Sequence, residues 1–180
     1  MGKVIVGMTT SVDGFVNDRH GSIERLYPDL PALRKTKLLQ EAMANTGAVV
    51  MGRRAYELAN GDFTGYEFQV PIFVIHHPPK QVAKGENARL RFAFVTEGVG
   101  QAIRKARDAA GQQDVTIIGG ASTARQAIAS GLVDQVEIGI VPVIFGEGLR
   151  LFETGDEVQL EKIEVLESPG RTDIKFRVIK

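Results

Sequence analysis

The sequence contains no cysteine and no tryptophan. Without cysteine there is no disulfide framework, no thiolate nucleophile and no thiolate metal site. The three histidines, His20, His76 and His77, do not replace them: adjacent residues of a strand point to opposite faces, and no H-E-x-x-H occurs. No metal is expected. An excess of charge is missing too, since 22 basic residues balance 22 acidic ones and leave no field to attract nucleic acid or an acidic membrane. The apolar runs fall far short of the ~20 residues that span a bilayer. The start, Met1-Gly2-Lys3-Val4-Ile5-Val6, shows no signal-peptide or myristoylation pattern, so a cytoplasmic protein is expected. G-x-G-x-x-G, G-x-x-x-x-G-K-[ST] and G-x-S-x-G are all absent, which demotes Rossmann dehydrogenases, Walker kinases and α/β-hydrolases.

What is present is ordinary in bulk and informative in pattern. At 180 residues, 43% of them hydrophobic and with no repeat or linker, the chain suits one domain with a sizeable core. The central stretch is Asp114-Val115-Thr116-Ile117-Ile118-Gly119-Gly120-Ala121-Ser122-Thr123. Val115 to Ile118 reads as a strand buried on both faces, and Ala124, Ala127, Ile128 and Leu132 follow at helical spacing. Ser122 and Thr123 are placed to cap that helix and Gly131 to end it. A glycine turn before a helix start leaves free N–H groups that suit a phosphate; a plain strand–helix junction uses the same residues.

A second junction of this kind joins Ala48-Val49-Val50-Met51 to Gly52-Arg53-Arg54-Ala55-Tyr56-Glu57. Around the two, Lys3 to Met8 reads as a first strand running into a polar turn, Thr9 to Val16, with Asp13 at its tip. Asn17 to Asp29 is an irregular segment, and Leu33, Leu38, Leu39, Ala42 and Met43 predict a helix from Pro31 to about Asn45. Further strands are expected at Pro71 to Ile75 and Phe92 to Val95, the first stopped by His76-His77-Pro78-Pro79, with an amphipathic helix between Gly98 and Gly111. Gln135 to Phe145, Val158 to Leu166 and Thr172 to Ile179 leave no room for helices between them. The pattern predicts an α/β protein whose mixed sheet ends in antiparallel strands.

In such sheets ligands bind outside the carboxyl ends of parallel strands, so two glycine turns at one edge can hold two parts of an extended phosphate-bearing ligand. Arg53 and Arg54 add guanidinium forks suited to the phosphate monoester that separates NADP from NAD; an exposed surface pair is the plain alternative. Asp13, just past a buried strand, is the candidate catalytic carboxylate, and an Asp-Gly turn residue is its alternative.

A series of motifs then becomes familiar: Ser11-Val12-Asp13-Gly14, Val50-Met51-Gly52-Arg53-Arg54-Ala55-Tyr56-Glu57, Ile117-Ile118-Gly119-Gly120-Ala121, Gly131-Leu132-Val133-Asp134, and Pro142 to Gly148 with Leu151-Phe152. In this order they resemble the dihydrofolate reductase-like family, and within it the reductase domain of bifunctional riboflavin-biosynthesis deaminase-reductases. The resemblance runs from about Lys3 to the C-terminus. It implies a three-layer α/β fold with a mainly parallel mixed sheet, antiparallel C-terminal strands and helices on both faces. It also implies a homodimer, with NADPH as hydride donor to a pyrimidine- or pterin-like ring.

Carried over by residue, Gly52, Arg53 and Arg54 face the adenosine 2′-phosphate and pyrophosphate, and Gly119, Gly120, Ala121, Ser122 and Thr123 the pyrophosphate and nicotinamide. Thr9 and Thr10 line the nicotinamide pocket, and His76 and His77 the adenosine end. Ser11, Asp13, Glu24 and Asp29 meet the substrate, with Asp13 orienting it or relaying a proton. A cis peptide between the two glycines is a further expectation. Three departures stand out. Ala55 replaces a Thr or Ser that helps bind phosphate. Gly7 replaces a Lys usual in riboflavin-pathway reductases, which weakens the case for a phosphoribosyl-aminopyrimidine. The first helix offers only Glu41, near its far end, where dihydrofolate reductases place an acid. Two rival readings remain, a nucleotide-binding protein of this fold without turnover and an unrelated α/β hydrolase with a scattered site.

Overall fold

The apolar runs become the centre of one eight-stranded sheet in a computed structural model that describes residues 2–77, 83–153, 155 and 157–180. In chain order the elements are β1 (Val4–Ser11), α1 (Leu30–Arg34), α2 (Lys37–Asn45), β2 (Thr46–Gly52), α3 (Arg53–Leu58), β3 (Ile72–Ile75) and β4 (Phe92–Phe94). They continue with α4 (Val99–Ala110), β5 (Asp114–Ile118), α5 (Ala121–Ala129), β6 (Gln135–Val141), β7 (Leu160–Ser168) and β8 (Arg171–Val178). The order across the sheet is β4-β3-β2-β5-β1-β6-β8-β7. The first six strands are parallel, and β8 and β7 close the sheet antiparallel to β6.

Two cores hold the layers together. On one face, Val4, Val6, Val50, Val115, Ile117 and Val136 meet α4 and α5 through Ala102, Ile103, Ala106, Ala121, Ala124 and Ala127. Small alanine side chains let both helices lie close to the strands. Gly47 extends this closeness, since a Cβ there would sit 2.9 Å from the Ala110 backbone. On the other face, Leu39, Ala42 and Met43 of α2 pack with Val49, Met51, Ile72 and Val74, beside an aromatic cluster in which Tyr56 stacks on Phe63 at 5.4 Å.

The single helix expected from Pro31 to Asn45 is two helices. Thr36 takes extended backbone, ends the first and caps the second by accepting from the Leu39 N–H. The helix after β5 begins at Ala121, with Gly120 as its N-cap and no side-chain cap, so Ser122 and Thr123 lie inside its first turn rather than capping it. The strand expected to reach Phe145 ends at Val141, before Pro142, and β1 runs on past Met8 to Ser11. Pro78 and Pro79 lie outside the described residues.

Candidate active site

The cleft originates in a mismatch of strand lengths. β1 pairs with β5 only from Val4 to Gly7, where Gly7 faces Ile118, but it pairs with β6 from Ile5 to Ser11. β5 stops at Ile118 and turns away at Gly119. Met8 and Thr9 therefore keep a strand edge that no β5 residue covers, and backbone groups there are open to a ligand.

Two cavities meet at this notch. The first, about 280 Å³, runs between Met8 and Thr9 on one side and Arg54, Gly119, Gly120 and Ala121 on the other. The second, about 270 Å³, lies between the sheet and the leucines of α1 and α2. Gly7, Met8, Thr9, Tyr27, Tyr66 and Ile118 line both, so ligands in the two cavities would touch.

Backbone shape forms one wall of the first cavity. Gly119 and Gly120 hold φ of +71° and +82°, a region that L side chains rarely adopt. A Cβ on Gly119 would collide with the Ala55 methyl, and one on Gly52 would lie 2.6 Å from Thr123 Oγ1 and 3.2 Å from the Gly119 carbonyl. The two strand–glycine–helix junctions are thus pressed together, as two turns sharing one ligand require. No side chain caps α5, whose N-cap Gly120 and first residue Ala121 line the cavity. Arg54 lines the cavity and makes no ion pair among the described residues, whereas Arg53 points away and pairs with Glu57 at 3.8 Å.

Side chains from distant elements form the second cavity. Leu30, Leu33, Leu38 and Leu39 roof it, and Glu67, Glu137 and Arg171 bring charge to its walls. The Tyr66 hydroxyl between the cavities has its pKa raised by burial, which keeps it a neutral donor. Glu137 on β6 stands opposite Gly7 in the strand register, accepts a 2.7 Å bond from the Gln135 amide, and has its pKa raised, chiefly by burial. Arg171 lies over Gly139, where a Cβ would strike its guanidinium, and is held there by the buried Asp173.

The expected site residues divide. Thr9, Arg54, Gly119, Gly120 and Ala121 come together in the first cavity, with Gly52 and Thr123 packed behind them. Thr10 is buried in β1 but lines neither cavity; Ser122 accepts from Gln126 on the helix surface, and His76 and His77 sit past the end of β3 with ring centres 6.1 Å apart. Asp13 lines neither cavity: its carboxylate accepts from Ser11 Oγ at 2.6 Å, the Gly146 N–H at 2.8 Å and the Phe145 N–H at 3.2 Å. Those bonds, led by Ser11, hold its pKa down at about 2 and tie the β1 turn to the loop after β6.

Ser11 also accepts from the Phe15 N–H. Asp29 caps α1 by accepting from the Ala32 N–H, and Glu24 is exposed on a 3-10 turn. No cis peptide occurs among the described residues, so the Gly119–Gly120 bond is trans and the turn is made by left-handed φ at both glycines. Tyr27, Tyr66, Glu137 and Arg171 were not legible as site residues. Glu137 left one trace, a carboxylate inside an otherwise apolar strand, Val136 to Val141.

Among the described residues no group of three or more metal-binding side chains occurs, and no helix is long and apolar enough to cross a membrane. The fold has known counterparts. A putative riboflavin biosynthesis protein from Shewanella sp. PV-4 superposes with a TM-score of 0.77 at 21% identity, covering 99% of each chain. The deaminase/5-amino-6-(5-phosphoribosylamino)uracil reductase of Thermotoga maritima superposes at 0.76 and 17% identity, with 99% of this chain covering 57% of that one. Dihydrofolate reductase from Enterococcus faecalis, solved with NADP(H), gives 0.66 at 16% identity over 99% and 98% of the two chains. In sequence, the uncharacterized protein YyaP of Bacillus subtilis (strain 168) is 24% identical over 156 residues, which is 83% of this chain and 80% of that one. Residues 2–172 match the profile of the RibD C-terminal domain, and the chain belongs to that family.

Proposed function

We propose that this protein is an NADPH-dependent reductase that passes hydride to a small planar heterocycle of the pyrimidine or pterin type. The observation that carries this reading is the meeting of the two cavities at Gly7 to Thr9, beside the strand edge that β5 leaves uncovered. Relatives point the same way: one similar structure is a uracil-type reductase and another was solved with NADP(H).

The residues fit the cofactor. Gly52, Gly119 and Gly120 leave no room for side chains where a dinucleotide backbone must pass, the α5 N-terminus offers N–H donors to a pyrophosphate, and Arg54, without an ion pair among the described residues, is a cation for the 2′-phosphate. When bound, the reduced nicotinamide supplies the hydride. The chain's own contribution is placement. The free edge at Met8 and Thr9 offers backbone N–H and C=O groups to an amide, fixing the ring's plane. Ile118, Tyr27 and Tyr66 confine the contact zone and exclude water, so that two rings held in contact need little further ordering to react.

One observation favours a second reading, binding without turnover: Asp13, the expected proton relay, is consumed by loop hydrogen bonds and lines neither cavity. Loss of reduced-nicotinamide absorbance on mixing NADPH-loaded protein with a panel of pterins and aminopyrimidines separates the two. Turnover with any panel member supports the reductase; tight NADPH binding with no oxidation across the panel supports the second reading.

A further inference from the structure

Reduction of a ring C=N bond needs a proton as well as a hydride, and the expected relay does not supply it. The Asp13 carboxylate is taken up by Ser11, Phe145 and Gly146 and lines neither cavity. The proton has to start from the zone where the two cavities meet. Three side chains with a hydroxyl line both cavities there: Thr9, Tyr27 and Tyr66. The acids stand to either side. Asp62 lines only the first cavity, while Glu67 and Glu137 line only the second. Glu67 pairs with Arg34 at 2.8 Å, and Glu137 accepts from the Gln135 amide and faces Lys175 across the β6–β8 pairing.

Tyr66 is the most firmly held of the three hydroxyl groups. Its ring meets Phe63 edge-on at 5.4 Å and tilts against Phe68 at 6.1 Å, and both phenylalanines are buried. Its backbone is pinned twice: the N–H donates to the Phe63 carbonyl at 3.1 Å, and the carbonyl accepts from the Gln69 amide at 2.9 Å. The hydroxyl itself has no hydrogen-bond partner among the described residues. Burial, with Glu67 and Tyr27 adding to it, raises the pKa of this phenol, so its proton stays in place. A desolvated donor in such a position is satisfied by an acceptor on a ligand. Thr9 is an aliphatic alcohol and a far weaker acid, and Tyr27 follows a 3-10 turn on the irregular segment after β1.

We propose that Tyr66 is the proton donor of the reaction, and that the substrate presents a ring C=N bond at the junction of the cavities with its nitrogen against the Tyr66 hydroxyl. This rests on the reductase reading. A hydride leaves the reduced nicotinamide with its electron pair, oxidising the cofactor by two electrons, and forms a C–H bond at the ring carbon. The C=N π pair moves onto nitrogen, where an N–H bond forms as the Oη–H bond of Tyr66 breaks. The ring gains two hydrogens and two electrons. Nitrogen carrying the displaced pair is a stronger base than a phenolate, which drives the transfer, and the phenolate regains its proton from solvent.

Tyr66→Phe removes only the unpartnered oxygen and keeps the ring on Phe63 and Phe68. Calorimetric titration of the NADP+-loaded proteins with pterin, which carries ring C=N bonds, should show about 5-fold weaker binding to the variant than to the wild type. NADPH affinity should stay within about 2-fold. Single-turnover NADPH oxidation with the panel of pterins and aminopyrimidines should fall at least about 100-fold in Tyr66→Phe, and by less in Tyr27→Phe. Undiminished oxidation in Tyr66→Phe, or a larger loss in Tyr27→Phe, overturns the proposal. So does equal affinity of variant and wild type for pterin, or failure of pterin to bind either. Wild-type protein that binds NADPH and pterin but oxidises no NADPH with any panel member contradicts the reductase reading and with it the proton transfer, while the difference in pterin affinity still decides whether the hydroxyl meets the ring.

Discussion

The two cavities share six lining residues and are built on opposite principles. One wall of the first is made of backbone: two glycine turns and a helix start, each turn contiguous in sequence, beside an arginine that makes no ion pair among the described residues. The second is made of side chains gathered from α1, α2, β1, β5, β6 and β8 and from the loops bearing Tyr27 and Tyr66. A backbone cradle tolerates no added atoms but is indifferent to most neighbours. A side-chain trough can change its chemistry through one substitution. On the proposed reading, this division lets one fold keep a cofactor while varying its substrate.

Substitutions should separate the two regions. Gly119→Ala should have the largest effect, because it meets both a positive φ and the Ala55 methyl. It should cost on the order of 2–4 kcal/mol by denaturant unfolding and weaken NADPH about 100-fold by fluorescence titration. Arg54→Gln should weaken NADPH about 10-fold and leave NADH unchanged, since only the 2′-phosphate is lost to it.

Glu137→Gln should raise Tm at neutral pH. The pKa of Glu137 is raised in the folded protein, so its penalty is absent below the ordinary value of 4.5 and grows as the pH climbs above it. The Tm difference between variant and wild type should therefore vanish near pH 4 and open towards pH 7. Asp13→Asn should have the smallest effect on ligands, within about 2-fold for NADPH. Its effect is local: the pKa of Asp13 is lowered, so the bonds to Phe145 and Gly146 are intact above 3.8 and are lost as the pH falls through about 2. Hydrogen-exchange protection at those two amides should fall over this window in the wild-type protein and be low throughout in the variant.

The same contrast explains what the sequence disclosed. Gly52 and Gly119-Gly120 could be read because each lies between an apolar run and a helix, so local pattern states local geometry. Arg53 and Arg54 look alike as letters, and only the helix places one at the cavity and the other against Glu57. Asp13 misled for a related reason: a carboxylate after a buried strand suits catalysis or a turn, and its partners at Phe145 and Gly146 lie more than 130 residues away. Glu137 was passed over because its meaning depends on Gly7, Arg171 and Lys175, which only the strand order β1-β6-β8 brings beside it.

The most direct measurement is a titration of the purified protein with NADPH, following the cofactor's own fluorescence against the low background of a chain without tryptophan, and repeated with NADH. Binding in the micromolar range or tighter, with NADH at least about 10-fold weaker, is the predicted result. No binding of either cofactor at millimolar concentration would contradict the account.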